Sequence, residues 1–410
     1  MFSHYVKDRN LLAVLLLGFS SGLPLALTSS TLQAWFTVAG VDITTIGALS
    51  LVGLPYVFKF VWAPILDRFI PPLWGRRRGW ILITQLGLCI TLFALAQMSP
   101  VLQPVWMGGL ALVIAFLSAS QDIAIDAYRT DILLPDERGL GSAAYIFSYR
   151  MAMLVSGALG LVFADHYGWR STYEIMAILM GLSIVSTYFS PEISAAIQAP
   201  KTLADAFVKS LSDLLNRERL ALILLFILLY KFGDAFALAL MSNFLLKGIG
   251  FTLTTVGLTY KTFGLVASIL GAFTGGILLT RMKLFRALVL FGVLQAFSNL
   301  MFMFVAMAGK NYSVMASSIF IESFCSGMGT SAFVAFLMAF CNHRYTATQF
   351  ACLSAFAAVG RVFVGPFASF IVLHVGWTQY FAWSFVFSLP GIFLLFVLRN
   401  KVRFNAEKII

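Results

Sequence analysis

Charge is what this 410-residue chain has least of: Asp, Glu, Lys and Arg together make up 11% of it, where a soluble domain carries about 25%. A water-facing surface cannot be built from that inventory, which excludes a cytosolic enzyme, a nucleic-acid binder and a disordered chain. Cysteine is also scarce. Cys89, Cys325, Cys341 and Cys352 sit in apolar runs without C-x-x-C spacing, so neither a disulfide framework nor a metal site is expected. The four histidines, His4, His166, His343 and His374, fall near helix ends or loops. No phosphate-cradling G-x-x-x-x-G-K-S/T loop and no nucleophile–base set is present, so neither ATP hydrolysis, nor a cofactor, nor enzymatic catalysis is expected. Apolar residues fill the gap, at 60% of the chain with 15% aromatic and a mean hydropathy of +0.91. This is the inventory of a polytopic membrane protein.

A spanning helix needs about 20 mostly apolar residues. Such windows lie near 11–36, 43–66, 80–98, 104–126, 140–164 and 171–190, then 220–246, 254–280, 284–308, 312–341, 347–373 and 378–398. The first follows Lys7 and Arg9 like a signal peptide, but with so many spans behind it a retained helix is the better reading. The only long polar stretch separates six windows from six. The expected organisation is a six-helix bundle over 1–190, a cytoplasmic linker over 191–218 and a second bundle over 219–410. Within the linker, Leu203, Phe207, Leu211, Leu214 and Leu215 recur at helical spacing, which suits a surface-lying amphipathic helix or a solvated one. With both termini placed inside, the inner segments hold twenty Lys and Arg residues and the outer ones only Arg170, Lys247 and Lys310. The positive-inside rule therefore puts both termini in the cytoplasm.

The halves echo each other. Thr44-Thr45-Ile46-Gly47 opens the second helix and Thr254-Thr255-Val256-Gly257 the eighth, 210 residues on; Gly168-Trp169 precedes the sixth helix and Gly376-Trp377 the twelfth, 208 residues on. A duplicated six-helix unit is the architecture of major facilitator transporters, which alternate access by moving one half against the other. Charge placement fits independently. A charge inside the bilayer costs roughly 2.5–3.5 kcal/mol, so each needs a cavity, a partner or a role. Lys59, Asp122, Asp126, Arg150, Lys231, Asp234, Lys261, Glu322 and Arg361 fall on helices 2, 4, 5, 7, 8, 10 and 11; of helices 3, 6, 9 and 12, which face lipid in that fold, only helix 6 carries a charge, Glu174 near its outer end. The fold expected is an all-α membrane protein of twelve transmembrane helices in two six-helix bundles.

Asp122, Asp126 and Arg129 share one face of helix 4. Two neighbouring carboxylates in a low-dielectric cavity cannot both ionise cheaply, which suits a proton carrier; Asp126 and Arg129 can instead form a structural pair at the inner mouth. Asp234 and Glu322 are the other proton-coupling candidates. Lys231 and Asp234, three apart, can pair structurally or exchange partners during transport. Lys59, Arg150, Lys231, Lys261 and Arg361 are candidate ligands for carboxylates, or latches between the halves. Helix 1 is polar (Ser20, Ser21, Thr28, Ser29, Ser30, Gln33), with Gly22-Leu-Pro24 expected to bend or open it; Gln33 is a candidate substrate contact. Small residues at four-residue spacing, Ser156, Gly160 and Ala164 on helix 5 (with Gly157 beside them) and Ala267, Gly271 and Gly275 on helix 8, are expected to let helices 5 and 8 pack closely. Asp67 and Arg68 sit in an Asp-Arg segment followed by Gly75-Arg76-Arg77-Arg78-Gly79, similar to the major facilitator signature of an inward-side latch, with Ala63 where that signature has glycine.

Several stretches resemble the AmpG-type anhydro-muropeptide permeases: Phe19 to Thr28, Gly53 to Arg68, Gln121 to Arg129, Ser326 to Phe333, and Ala347 through Gly360-Arg361 to Pro366. The likeness covers nearly all of 10–400; the Gln-Asp-x-x-x-Asp element is shared with acetyl-CoA transporter relatives. It implies an inner-membrane, proton-driven importer of N-acetylglucosaminyl-anhydro-N-acetylmuramyl peptides for cell-wall recycling, in some bacteria linked to β-lactamase induction. Gln121 and Tyr128, in the same helix 4 stretch, are further candidate substrate contacts. The partners expected are this substrate, the proton and the lipid bilayer, with no nucleic acid and a monomer favoured. The alternative is a major facilitator carrier of another solute, such as acetyl-CoA, a peptide or a drug.

Overall fold

The computed structural model describes residues 2–69, 71, 75–133, 138–191, 211–217, 219–341 and 346–399. Among them the secondary structure is helical, with ten stretches long and apolar enough to cross a membrane. Two are double length. Ala144–Tyr188 (45 residues) and Cys352–Arg399 (48 residues) are each broken by one non-helical glycine, Gly168 (φ 81°, ψ 165°) and Gly376 (φ 74°, ψ 173°). That backbone region is open essentially to glycine alone, so each glycine turns the chain between two spans. Counted limb by limb, the described residues hold twelve spans, and the glycines are those that open the repeated Gly-Trp pairs.

The spans are α1 (Arg9–Val38), α2 (Ile43–Val61), α3 (Arg77–Ala96), α4 (Pro104–Ile132), α5 and α6 (the limbs of Ala144–Tyr188), α7 (Leu220–Ile249), α8 (Leu253–Leu279), α9 (Leu284–Ala308), α10 (Tyr312–Phe340), and α11 and α12 (the limbs of Cys352–Arg399). Their starts are readable in atoms. Asp42 caps α2 by accepting from Thr45 N at 2.9 Å, and Thr252 caps α8 by accepting from Thr255 N at 3.2 Å. Thus the repeated Thr-Thr-x-Gly segments begin in the same way. Helix α1 runs through Gly22 and Pro24 and breaks a turn later, at Thr28–Ser29, where the Ser29 hydroxyl donates to Leu25 O at 2.6 Å. Gly22 is not the hinge. A methyl there would lie 3.0 Å from Tyr149 Cα, so this glycine lets α1 and α5 touch backbones. Gly18, four residues earlier, approaches Tyr145 in the same way.

The described residues form two compact units. One takes in Met1–Val41, Val52–Pro200 and Thr252–Gly257; the other takes in Asp42–Leu51, Lys201–Phe251 and Leu258–Ile410. The expected boundaries at 191 and 219 do not contain the two short exchanged segments. Within the first unit, Asp165 accepts from Thr254 N at 3.1 Å and from its hydroxyl at 2.6 Å. Within the second, Ser50 donates to Val362 O at 2.6 Å, and a methyl on Gly47 would lie 2.6 Å from Gly365 O. Of the linker, 211–217 are described, with 211–215 helical; Leu203 and Phe207 lie outside the described residues.

Each unit has its own core. Val14, Leu17, Ile81, Ile125 and Tyr128 cluster in the first; Phe226, Tyr230, Phe291, Phe336 and Leu395 cluster in the second. Large apolar side chains also face outward in stripes: Ile83, Leu86, Ile90 and Phe93 on α3, and Leu290, Leu294, Phe297 and Phe304 on α9. Exposed apolar area on that scale needs a non-aqueous neighbour, and a bilayer supplies it.

The small faces of α5 and α8 pack differently from expectation. Gly271 and Gly275 lie against α10: methyl groups there would come 2.9 Å from Phe324 Cα and 2.9 Å from Met328 Cα. Gly157 faces α1, nearest Ala26 Cβ (3.6 Å), whereas Gly160 is nearest Val155 O of its own helix (3.6 Å) and then Met176 Cε of α6 (3.8 Å). It is Gly257, 2.8 Å from Ala158 O by the same measure, that brings α8 to α5.

Candidate functional site: two buried polar clusters

The first unit holds a network centred on Asp122, which α4 presents toward α1 and α5. Asp122 is 9% exposed, and the Ser21 hydroxyl donates to it. Ser21 Oγ lies 2.8 Å from the Tyr145 hydroxyl. Arg129 covers the Tyr145 ring at 4.3 Å and binds Asp126 at 2.9 Å. The structural pair considered for Asp126 and Arg129 is therefore formed, with 45% of the Asp126 side chain still exposed. Alongside, Gln85 and Gln121 both donate to Ser20 Oγ, at 2.8 and 2.7 Å, leaving Gln85 Oε1 and Gln121 Oε1 buried without partners. Tyr56 OH and Ser118 Oγ are in the same condition. Unpaired buried polar atoms cost about 1–3 kcal/mol each, a cost that water or a ligand group at these atoms would remove.

The second unit holds the other cluster. Lys231 Nζ lies 3.9 Å from Asp234 Oδ2 and donates to Thr330 Oγ1 at 3.0 Å. Ser326 donates to Asp234 at 3.4 Å, and Ser323 to Glu322 at 3.2 Å. Asp234 Oδ1 and Glu322 Oε1 are buried with no donor. A shared proton, or a donor group on a bound solute, would fill both. Lys261 sits 4.5 Å over the ring of Tyr260, in a π-helical stretch of α8 (Val256–Phe263). Such wider turns recur at functional sites.

The remaining candidates divide clearly. Lys59 and Gln33 are half-buried, while Arg150 and Arg361 are exposed. Two expected substrate contacts offer a ligand no surface in this conformation. Tyr128 is fully buried with its hydroxyl donating to Pro191 O at 2.6 Å, and Gln121 is fully buried on Ser20. The side chains of Asp67 and Arg68 lie outside the described residues; their backbone closes the short helix Ala63–Arg68. Sequence reasoning missed Ser20 and Ser21 as specific partners, and missed Gln85 and Tyr145 altogether. Among the described residues no group of three His, Cys, Asp or Glu side chains could hold a metal ion.

The sequence model of the Major Facilitator Superfamily matches residues 11–349. An anhydromuropeptide permease of Escherichia coli (strain K12) is 50% identical over 393 residues, covering 96% of this chain and 80% of that protein. Among solved structures, a POT family transporter with a bound thioalcohol-conjugated peptide superposes with TM-score 0.73 at 14% identity, covering 96% of this chain and 97% of that one. A D-xylose–proton symporter superposes with TM-score 0.71 at 13% identity, covering 96% and 97%. At such identities the two structures speak for the fold alone. Twelve spans, a duplicated six-helix pattern and half-identity to a permease along nearly the whole chain agree: this multi-pass membrane transporter belongs to the Major Facilitator Superfamily, in the family of the anhydromuropeptide permeases.

Proposed function

We propose that this chain imports N-acetylglucosaminyl-anhydro-N-acetylmuramyl peptides across the bacterial inner membrane by proton symport, with both termini in the cytoplasm. The observation that carries the substrate is the 50% identity to a protein named for anhydromuropeptides. Support for proton coupling comes from Asp122, a buried carboxylate held by a single hydroxyl donor, and from the facing pair Asp234 and Glu322 with unfilled oxygens. Lys59, Lys231, Lys261, Arg150 and Arg361 supply cations for the carboxylates of a peptide stem, and Gln33 an amide for its sugar hydroxyls. Twenty inner against three outer basic residues support the orientation.

The test is uptake of labelled disaccharide tripeptide into proteoliposomes, with and without an inward proton gradient. Wild-type protein accumulates the label only with the gradient. Asp122→Asn abolishes that accumulation, whereas Asp126→Asn, which removes a half-exposed partner of Arg129, reduces it less. Entry without gradient dependence keeps the substrate and removes the proton role. No entry by folded protein transfers the substrate assignment to another solute.

A further inference from the structure

Three helices meet at one hydroxyl. Ser21, 1% exposed on α1, donates to the Asp122 carboxylate of α4 and lies 2.8 Å from the Tyr145 hydroxyl of α5. Tyr145 in turn carries the Arg129 guanidinium 4.3 Å over its ring, and Arg129 is held at 2.9 Å by Asp126. The series runs from Asp122, 9% exposed, to Asp126, 45% exposed. Other titratable groups whose fields reach this series are Lys59 and Tyr56 from α2 and Tyr149 from α5. Ser21 donates directly to the Asp122 carboxylate.

We infer that Ser21 and Tyr145 form a hydroxyl relay that carries the proton between Asp122 and the water-facing end of the unit at Asp126, and that they position the proton rather than bind the solute. The inference rests on the proton-symport reading. Its chemistry balances with no added reagent. On release, the carboxylic proton of Asp122 passes to Ser21 Oγ as the proton of Ser21 passes to the Tyr145 oxygen. The phenolic proton of Tyr145 leaves to water beside Asp126. One proton enters the series, one leaves, and rotation of the two hydroxyls resets it. Serine and tyrosine suit this task because each hydroxyl donates and accepts at once. Arg129 has a defined part: stacked on Tyr145 and bound to Asp126, it fixes the ring in the orientation that presents its hydroxyl to Ser21. The relay also draws on three separate helices, so any shift of α1 against α4 or α5 opens it. Proton transfer is thereby tied to conformation.

The experiment compares wild type, Ser21→Ala, Tyr145→Phe and Ser21→Thr in proteoliposomes, with labelled disaccharide tripeptide as the probe. Two readouts are taken: concentrative uptake driven by the proton gradient, and gradient-free counterflow of label against unlabelled solute. The expected result is a fall of at least tenfold in concentrative uptake for Ser21→Ala and Tyr145→Phe, with counterflow reduced less than threefold. Ser21→Thr, which keeps the hydroxyl, retains at least half of wild-type concentrative uptake. Equal losses in both readouts would mean a structural role and overturn the relay, as would concentrative uptake at wild-type level in Ser21→Ala. Failure of the underlying reading looks different: wild type itself then shows counterflow and no response to the gradient.

Discussion

Two glycines four positions apart on α8 meet the backbone of α10, and the glycine next to the second meets nothing. A methyl on Gly271 would touch the Phe324 carbonyl oxygen and lie 2.8 Å from its carbon and 2.9 Å from Cα; around Gly276 there is no atom within 4 Å. Both residues lie inside the helix Gly264–Leu279, so replacing either with alanine gains the same helix propensity, about 1 kcal/mol. That gain cancels in the comparison. What differs is steric. Ordinary contact begins near 3.4 Å, so at Gly271 the helices must part by well over an ångström to clear the Phe324 carbonyl oxygen, along a backbone that cannot rotate away. Overpacking of that kind costs about 1–3 kcal/mol. Gly276→Ala should therefore be neutral or slightly stabilising, and Gly271→Ala should lie about 1–3 kcal/mol below it. At about 2–4 °C per kcal/mol, the melting temperatures should differ by roughly 2–12 °C. Intrinsic-fluorescence melts of the two purified variants in the same detergent give the answer. Coincident melting curves, or a lower Tm for Gly276→Ala, would refute the assignment of this face to α10.

Two further outcomes follow from single residues. Gly168→Ala and Gly376→Ala force a side chain into a backbone region reserved for glycine, at about 1–3 kcal/mol each, and should lower the Tm and the yield of monodisperse protein on size-exclusion chromatography. Asp42→Ala removes a helix cap and should cost about 1 kcal/mol, measured by thermal melts at neutral pH. The hydrogen bonds from Thr45 hold the Asp42 carboxyl below its ordinary value of 3.8. A depressed acid contributes stability that is full above that value and lost as the pH falls through the native one. The difference between wild type and Asp42→Ala should thus be constant from neutral pH down to mildly acid conditions and shrink only in strong acid.

Composition and spacing reach some levels of this structure and not others. Span count, the two Gly-Trp turns and the paired caps are local: each depends on a run of apolar residues or on atoms within a few positions. The carboxylates were found because charge in a bilayer is costly wherever it points. Their partners were not, because Ser21, Gln85 and Tyr145 are neutral and a helical sequence does not say which neighbour each face meets. The same ignorance of rotation hid that Tyr128 and Gln121 turn inward, to Pro191 O and Ser20 Oγ. It also paired the glycine face of α8 with the wrong helix. One signal was legible and unread: Gly18-x-x-x-Gly22-x-x-x-Ala26 is a close-packing stripe on α1, but Pro24 drew attention to bending. The Ala347-Thr-Gln-Phe350 stretch gains a reason only in three dimensions. Gln349 donates to Asp213 at 2.7 Å and accepts from Arg217 at 3.0 Å, while Arg217 also donates to the Phe340 carbonyl. Gln349 and the end of α10 are thereby fastened to the linker just before α7.

The paired caps show what duplication has kept. At Asp42 the acceptor is a carboxylate and at Thr252 a hydroxyl, yet each stands three residues before a threonine whose amide it receives. The atom and its charge differ between the two posts, and the bond it makes is the same. Ancestry in this chain is then better traced by the office an atom holds than by the letter that names it. A search for the remaining symmetry should align donors with acceptors, where an alignment of identities finds only scattered glycines and threonines.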